Sequence, residues 1–180
     1  MTLIDQISEI SHKASEKFSG LSERQLNWKP EPAKWSIAQC LDHLIVSNKN
    51  YYPAFEKLIS HSYRLSFFQK LNPFKKIAGP LMIKYMGSEG KKTFKSPKAF
   101  EPSSSNINAG IVTEFINHQE EMKKYYQRLG QLDTKNLIMA SPVSGLITYT
   151  LADGMELLAV HEKRHLKQAE NVLNHPNFPN

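Results

Sequence analysis

The chain is 180 residues long, 40% hydrophobic and 22% charged, with a formal net charge of +6 and a single cysteine, Cys40. That length supports one good core and would make two cramped ones, so one domain is expected, and a lone cysteine excludes an intramolecular disulfide. Residues 1–13 are too often interrupted by acidic and polar groups for a signal-peptide apolar stretch, and no run is long enough to span a bilayer; a soluble cytoplasmic protein with no membrane partner is expected.

In chain order, Leu3, Ile7, Ile10, Ala14 and Leu21 recur on a three-and-four spacing with Phe18 beside them, which predicts a first amphipathic helix. The stretch from Asn27 to Trp35 holds Pro30 and Pro32, which lack backbone donors, and must be a connection. Trp28 and Trp35 flank it and read as packing lids. Ser36 is placed to cap a second helix, with Gln39 completing a capping box. Ile37, Leu41, Leu44, Ile45, Phe55, Leu58 and Ile59 continue its apolar face, and Pro53 should bend or break it.

From Ser62 to Ser105 the pattern is cut by Pro73, Gly79, Pro80, Gly87, Gly90, Pro97 and Pro102, so this reads as a long insertion with one short helix near Phe74 to Tyr85. Between Ser62 and Lys98 the basic residues are Arg64, Lys70, Lys75, Lys76, Lys84, Lys91, Lys92, Lys95 and Lys98, opposed by Glu89 alone, which exceeds the whole net charge. So local an excess reads as a solvated face, and no nucleic-acid partner is expected. A third helix is predicted from about Asn106 to Leu129, with Ile111, Phe115, His118, Met122, Tyr125 and Leu129 on one seam and Gly130 ending it. Thr150 can cap a fourth, with Asp153 at the box position, along which Leu151, Leu158, His165 and Val172 recur every seven residues until Pro176. Without an alternating strand pattern, the expectation is an all-α, antiparallel four-helix bundle with a long insertion between helices two and three.

His161 and His165, four residues apart, are separated on a helix by about 40° and about 6 Å, so both imidazoles can face one point. Both interrupt the buried seam of the fourth helix, and a metal ion would satisfy two such neutral rings at once; a hydrogen-bonded core pair is the plainer alternative. The string His161-Glu162-Lys163-Arg164-His165 also matches the H-E-x-x-H motif of zinc peptidases. Those enzymes need a downstream ligand and a strand beside the substrate, and only Glu170 and His175 follow. A third ligand must then lie upstream, at His43 or at His118; His12, His61 and His175 look like surface or loop residues. Glu162 reads as a residue supporting the histidines or as solvated, and Cys40 as a small buried apolar group.

The segment Lys34-Trp35-Ser36-Ile37-Ala38-Gln39-Cys40-Leu41-Asp42-His43-Leu44, followed far downstream by Leu158-Ala159-Val160-His161-Glu162-Lys163-Arg164-His165-Leu166-Lys167-Gln168, resembles the paired signature of the DinB-like superfamily. The resemblance covers nearly the whole chain. It implies that His43, His161 and His165 together hold a divalent metal, with zinc or nickel the best match to three nitrogen ligands. It also implies chemistry in which a low-molecular-weight thiol, such as bacillithiol or mycothiol, is activated for transfer to an electrophile. The alternatives are a stress-associated binding protein with a structural metal and a metal-dependent hydrolase. Family members commonly pair through helix faces. A homodimer is therefore expected, or failing that an insertion folded back on the bundle. Lys91, Lys92, Lys95 or Lys98 would rim the site if the insertion covers it.

Overall fold

The computed structural model describes residues 1–87 and 97–180. Capping residues fix where most helices begin. The Thr2 side chain accepts from the Asp5 amide at 3.1 Å while Asp5 accepts from the Thr2 amide at 2.8 Å, and α1 (Leu3–Phe18) follows. Leu21 lies beyond the helix and packs on the core from the connection. After the short α2 (Glu23–Asn27), Ser36 and Gln39 form the expected capping box of α3 (Ile37–Lys49). The break comes just before Pro53, which sits in the first turn of α4 (Tyr52–Ile59), where its missing N–H matters least. His61, at φ 56°, takes the left-handed conformation that ends the helical run.

The insertion contains α5 (Phe67–Leu71), α6 (Ala78–Gly87) and a 3-10 turn at Lys98–Phe100. The helix expected near Phe74 to Tyr85 thus starts later, and Phe67–Leu71 forms a helix of its own, opened by the capping pair Ser66 and Gln69. The bundle resumes with α7 (Ile111–Leu129), ended by Gly130 as expected, and closes with α8 (Leu151–Leu173), capped by Thr150. The start of α7 is five residues later than expected, because Asn108 closes a turn onto the Gly110 amide. Between α7 and α8 lies an antiparallel pair, β1 (Ile138–Ala140) and β2 (Thr148–Thr150), with Met139 opposite Tyr149. Three-residue strands are too short to show alternation in a sequence.

Four long helices form the bundle: α1 and α3 each lie beside both α7 and α8. Phe18, Leu41, Leu44, Phe115 and Leu166 fill one part of the interior, and Phe55, Met122, Leu129, Tyr149 and Leu158 fill the other. The insertion returns to this frame through α6, which crosses the start of α8 so closely that a Cβ on Gly79 would stand 2.4 Å from that of Asp153. Met82, Ile83 and Met86 pack half-buried against the core from there. Folding back thus accounts for part of the insertion's apolar surface, while Phe67, Phe68, Leu71, Phe74, Ile77 and Leu81 stay exposed. Lys98 is exposed, and Lys91, Lys92 and Lys95 lie outside the described residues. Among the described residues no helix is long and apolar enough to cross a membrane.

Candidate metal centre

Two turns into α3, His43 points toward α8, where His161 and His165 stand one turn apart. The three rings form a compact triangle, with centroids 4.9 Å apart for His43 and His161, 4.5 Å for His43 and His165, and 4.6 Å for His161 and His165. One ligand atom from each can be chosen so that all lie within 4.8 Å of one another. The Nε2 atoms of His43 and His161 are 3.1 Å apart. Two nitrogens bound tetrahedrally to one zinc at about 2.0–2.1 Å would be roughly 3.3 Å apart, so this pair is close to a chelating geometry.

The surroundings orient the rings. His43 Nδ1 donates to the carbonyl oxygen of Phe100 at 2.5 Å, which leaves Nε2 with its lone pair toward His161. His165 Nδ1 is buried without a hydrogen-bond partner, an orphan that metal coordination would satisfy. Burial is the first cause holding all three histidines below the usual imidazole range. In His43 the Phe100 carbonyl partly opposes it; in His161 the rings of His165 and His43 add to it; His165 is pushed down to about 3, with His43 and Arg164 contributing. At neutral pH the cluster is uncharged and offers lone pairs, which is the state a divalent cation requires.

Trp35 stacks over the triad, its ring 4.6 Å from that of His43 and 5.6 Å from that of His165, so this lid covers the site itself. Trp28 instead packs on His175 and Phe178 near the C-terminus. The triad forms part of the wall of an open cleft of about 980 Å³, along with Met82, Met86 and Phe100 from the insertion, Leu157 and Leu158, and the polar groups of Lys34, Arg164 and Gln168. Arg164 Nη1 reaches the Met86 carbonyl at 3.4 Å and so links α8 to the insertion across the cleft.

His118, the rival third ligand, is elsewhere. It is buried, with Asn48 Nδ2 3.1 Å from Nε2 and the Tyr52 hydroxyl 3.1 Å from Nδ1; that hydroxyl donates onward to Glu121. Glu162 belongs to the same interior layer: only 1% exposed, it accepts from Asn48 Nδ2 at 2.6 Å and from Gln119 Nε2 at 2.9 Å. Burial raises its pKa to about 7, against the lowering effect of those two donors. A solvated Glu162 is therefore corrected, and the sequence did carry the signal. Met155, Ala159, Glu162, Leu166 and Ala169, all buried, follow a four-three spacing along α8. Glu162 is absent from the cleft wall, so the likeness to the zinc-peptidase motif does not extend to a base beside the metal. Cys40 is fully buried in the core, as expected, and its thiol pKa is raised by burial.

Asp42, quoted above only as part of a motif, anchors the site from behind. Its carboxylate accepts from the Ser103 amide at 2.5 Å and from the Ser103 hydroxyl at 3.1 Å, while Gln39 donates to the Ser104 carbonyl at 3.2 Å. These bonds seat the segment that presents the Phe100 carbonyl to His43. The family model described as the DinB superfamily matches residues 6–169. No curated protein and no solved structure matches the chain.

Proposed function

The chain belongs to the DinB superfamily, and on that premise we propose that His43, His161 and His165 bind one divalent metal ion, zinc or nickel, used to activate a low-molecular-weight thiol for transfer to an electrophile. The observation that carries this reading is the meeting of three neutral imidazoles in the wall of an open cleft, with no carboxylate and no fourth histidine in the cluster among the described residues. A structural metal favours a closed ligand set, whereas access from a cleft suits a site that takes a substrate. An ion held there supplies Lewis acidity, lowering the pKa of a thiol at its open face toward neutrality.

The rest is supplied by the chain. The bond from His43 to Phe100 fixes the ring that faces His161. Lys34, Arg164 and Gln168 offer charge and hydrogen bonds to the polar end of a thiol, and Met82, Met86, Phe100, Leu157 and Leu158 give an apolar wall for an electrophile. The hydrolytic reading is weaker, because the carboxylate that would serve as base is held by Asn48 and Gln119 in the interior.

The test uses protein purified without a histidine tag. Elemental analysis should find about one divalent metal per chain, and thiol addition to cobalt-substituted protein should produce a sulfur-to-cobalt charge-transfer band with release of a proton. If bacillithiol, glutathione and simpler thiols leave the cobalt spectrum unchanged while water exchange at the metal is normal, the thiol reading fails.

A further inference from the structure

The metal centre leaves one surface of the insertion unexplained. Phe67 and Phe68 on α5 are 70% and 78% exposed, and Leu71, Phe74, Ile77 and Leu81 continue the apolar surface toward and along α6. Leu146, in the turn between β1 and β2, is 80% exposed. These side chains are not scattered: Phe68, Leu71, Phe74 and Leu146 line one groove of about 740 Å³. The groove is braced from below, with Gln69 Nε2 donating to the Gly145 carbonyl at 2.7 Å and Asn72 Nδ2 donating to the Leu146 carbonyl at 3.3 Å and to Thr148 Oγ1 at 3.0 Å. A contiguous apolar face of this kind on a folded chain marks a contact surface.

Its charge says which kind. Residues 57–88 contain no aspartate or glutamate. Arg64, Lys70, Lys76 and Lys84 are exposed among the apolar residues, and the turn from Ser141 to Ile147 carries no charge at all. The groove itself is lined by no cation, only by apolar residues, Ser66, Gln69 and Asn72. The positive charge therefore surrounds the apolar face rather than sitting inside it. That arrangement suits a continuous anionic surface better than an acidic segment inserted in the groove. Pairing with a second copy across a twofold axis would set two identical cationic rims against each other.

We propose that this face docks on the surface of an anionic lipid bilayer, with Phe67, Phe68 and Leu146 entering the headgroup boundary and Lys70, Lys76 and Arg64 lying among the phosphates. This replaces the expectation of no membrane partner, which rested on the lack of a spanning run and does not bear on peripheral contact. The opposite side of α6 supplies Met82 and Met86 to the metal cleft, so the docked face and the cleft share one helix.

The experiment is co-sedimentation of the full chain with vesicles of phosphatidylcholine alone or with about one third phosphatidylglycerol. Partition onto the anionic vesicles should be stronger by about tenfold or more and should weaken as salt is raised. The double variants Phe68→Ser with Leu146→Ser, and Lys70→Glu with Lys76→Glu, should each lower that partition by about tenfold or more, with unchanged circular dichroism. The second pair leaves the apolar residues in place and tests charge by itself. Equal binding to both vesicle types, or binding to neither, overturns the proposal. So does a dimer in light scattering that Phe68→Ser with Leu146→Ser dissociates, or capture of an acidic amphipathic peptide by protein that ignores vesicles.

Discussion

His43 and Phe100 are joined by a hydrogen bond from imidazole Nδ1 to a main-chain carbonyl 57 residues away, so a ring on α3 is oriented by the last turn of the insertion. Asp42 and Gln39 hold that turn in place. Disturbing residues that never touch the cluster should therefore disturb its affinity. Asp42→Ala, which strands the Ser103 amide and hydroxyl, is expected to weaken zinc binding by about tenfold or more, the range typical of groups that orient a ligand from behind. Competition with a chromophoric chelator reads this directly, and unchanged affinity would separate the Phe100 contact from metal binding.

His43→Ala, His161→Ala and His165→Ala should each bring bound metal well below one per chain, because losing one of three ligands removes a large share of the binding free energy. His118→Ala should keep its metal, since that ring sits in a separate layer with Asn48 and Tyr52. Elemental analysis of the four variants decides between these outcomes; full retention in the His43 variant would sink the assignment.

The acid sensitivity of that layer has a definite sign. Burial holds His118 down to about 4, below its unfolded value of 6.5. Between those values the unfolded chain takes up the proton more readily than the folded one, so stability falls as pH drops from 6.5 toward 4, by on the order of 3 kcal/mol for this residue. His118→Gln should flatten that part of the stability curve. Urea denaturation of metal-free protein across the window, for both forms, measures the difference in slope.

Glu162 gives the opposite sign. Its folded pKa, raised to about 7, exceeds the unfolded value of 4.5, so its contribution is full below 4.5 and is lost as pH rises through 7. Glu162→Gln keeps an oxygen for Asn48 and Gln119 and removes the buried charge. At pH 8 this variant should be at least as stable as the parent, and it should retain its metal. Glu162→Ala, which leaves both donors unpaired, should lose roughly 2–4 kcal/mol in the same denaturation assay.

Cys40 should be silent toward thiol reagents in native protein, being fully buried with a raised pKa. Labelling with a disulfide dye should appear only on addition of denaturant, and Cys40→Ala should bind metal normally.

The bundle was legible because its helices are long, periodic and capped by side chains that can be read one by one: Ser36 with Gln39, Thr150 with Asp153. The pair His161 and His165 was legible from its four-residue spacing. The choice between His43 and His118 was not, because a seam position gives the face a residue occupies and not the neighbour it meets there; the resemblance to a known signature favoured His43. Glu162 was missed because attention to the histidine stripe hid a second buried stripe one residue away. The role of Asp42 depends on a partner 61 residues later, and no local pattern announces such a contact.

Four bonds reach from one stretch of α3 to residues 99–104: Gln39 to Ser104, Asp42 to Ser103, His43 to Phe100, and Asn50 Nδ2 to the Ala99 carbonyl at 3.0 Å. They close the insertion like a clasp, so that what lies between is tethered at both ends to the scaffold. Closing a longer loop on the same clasp adds only about 0.6 kcal/mol for each doubling of its length. The insertion is thus a cassette: lineages could lengthen, shorten or rewrite it, changing what enters the cleft, while the histidines beneath stay in register.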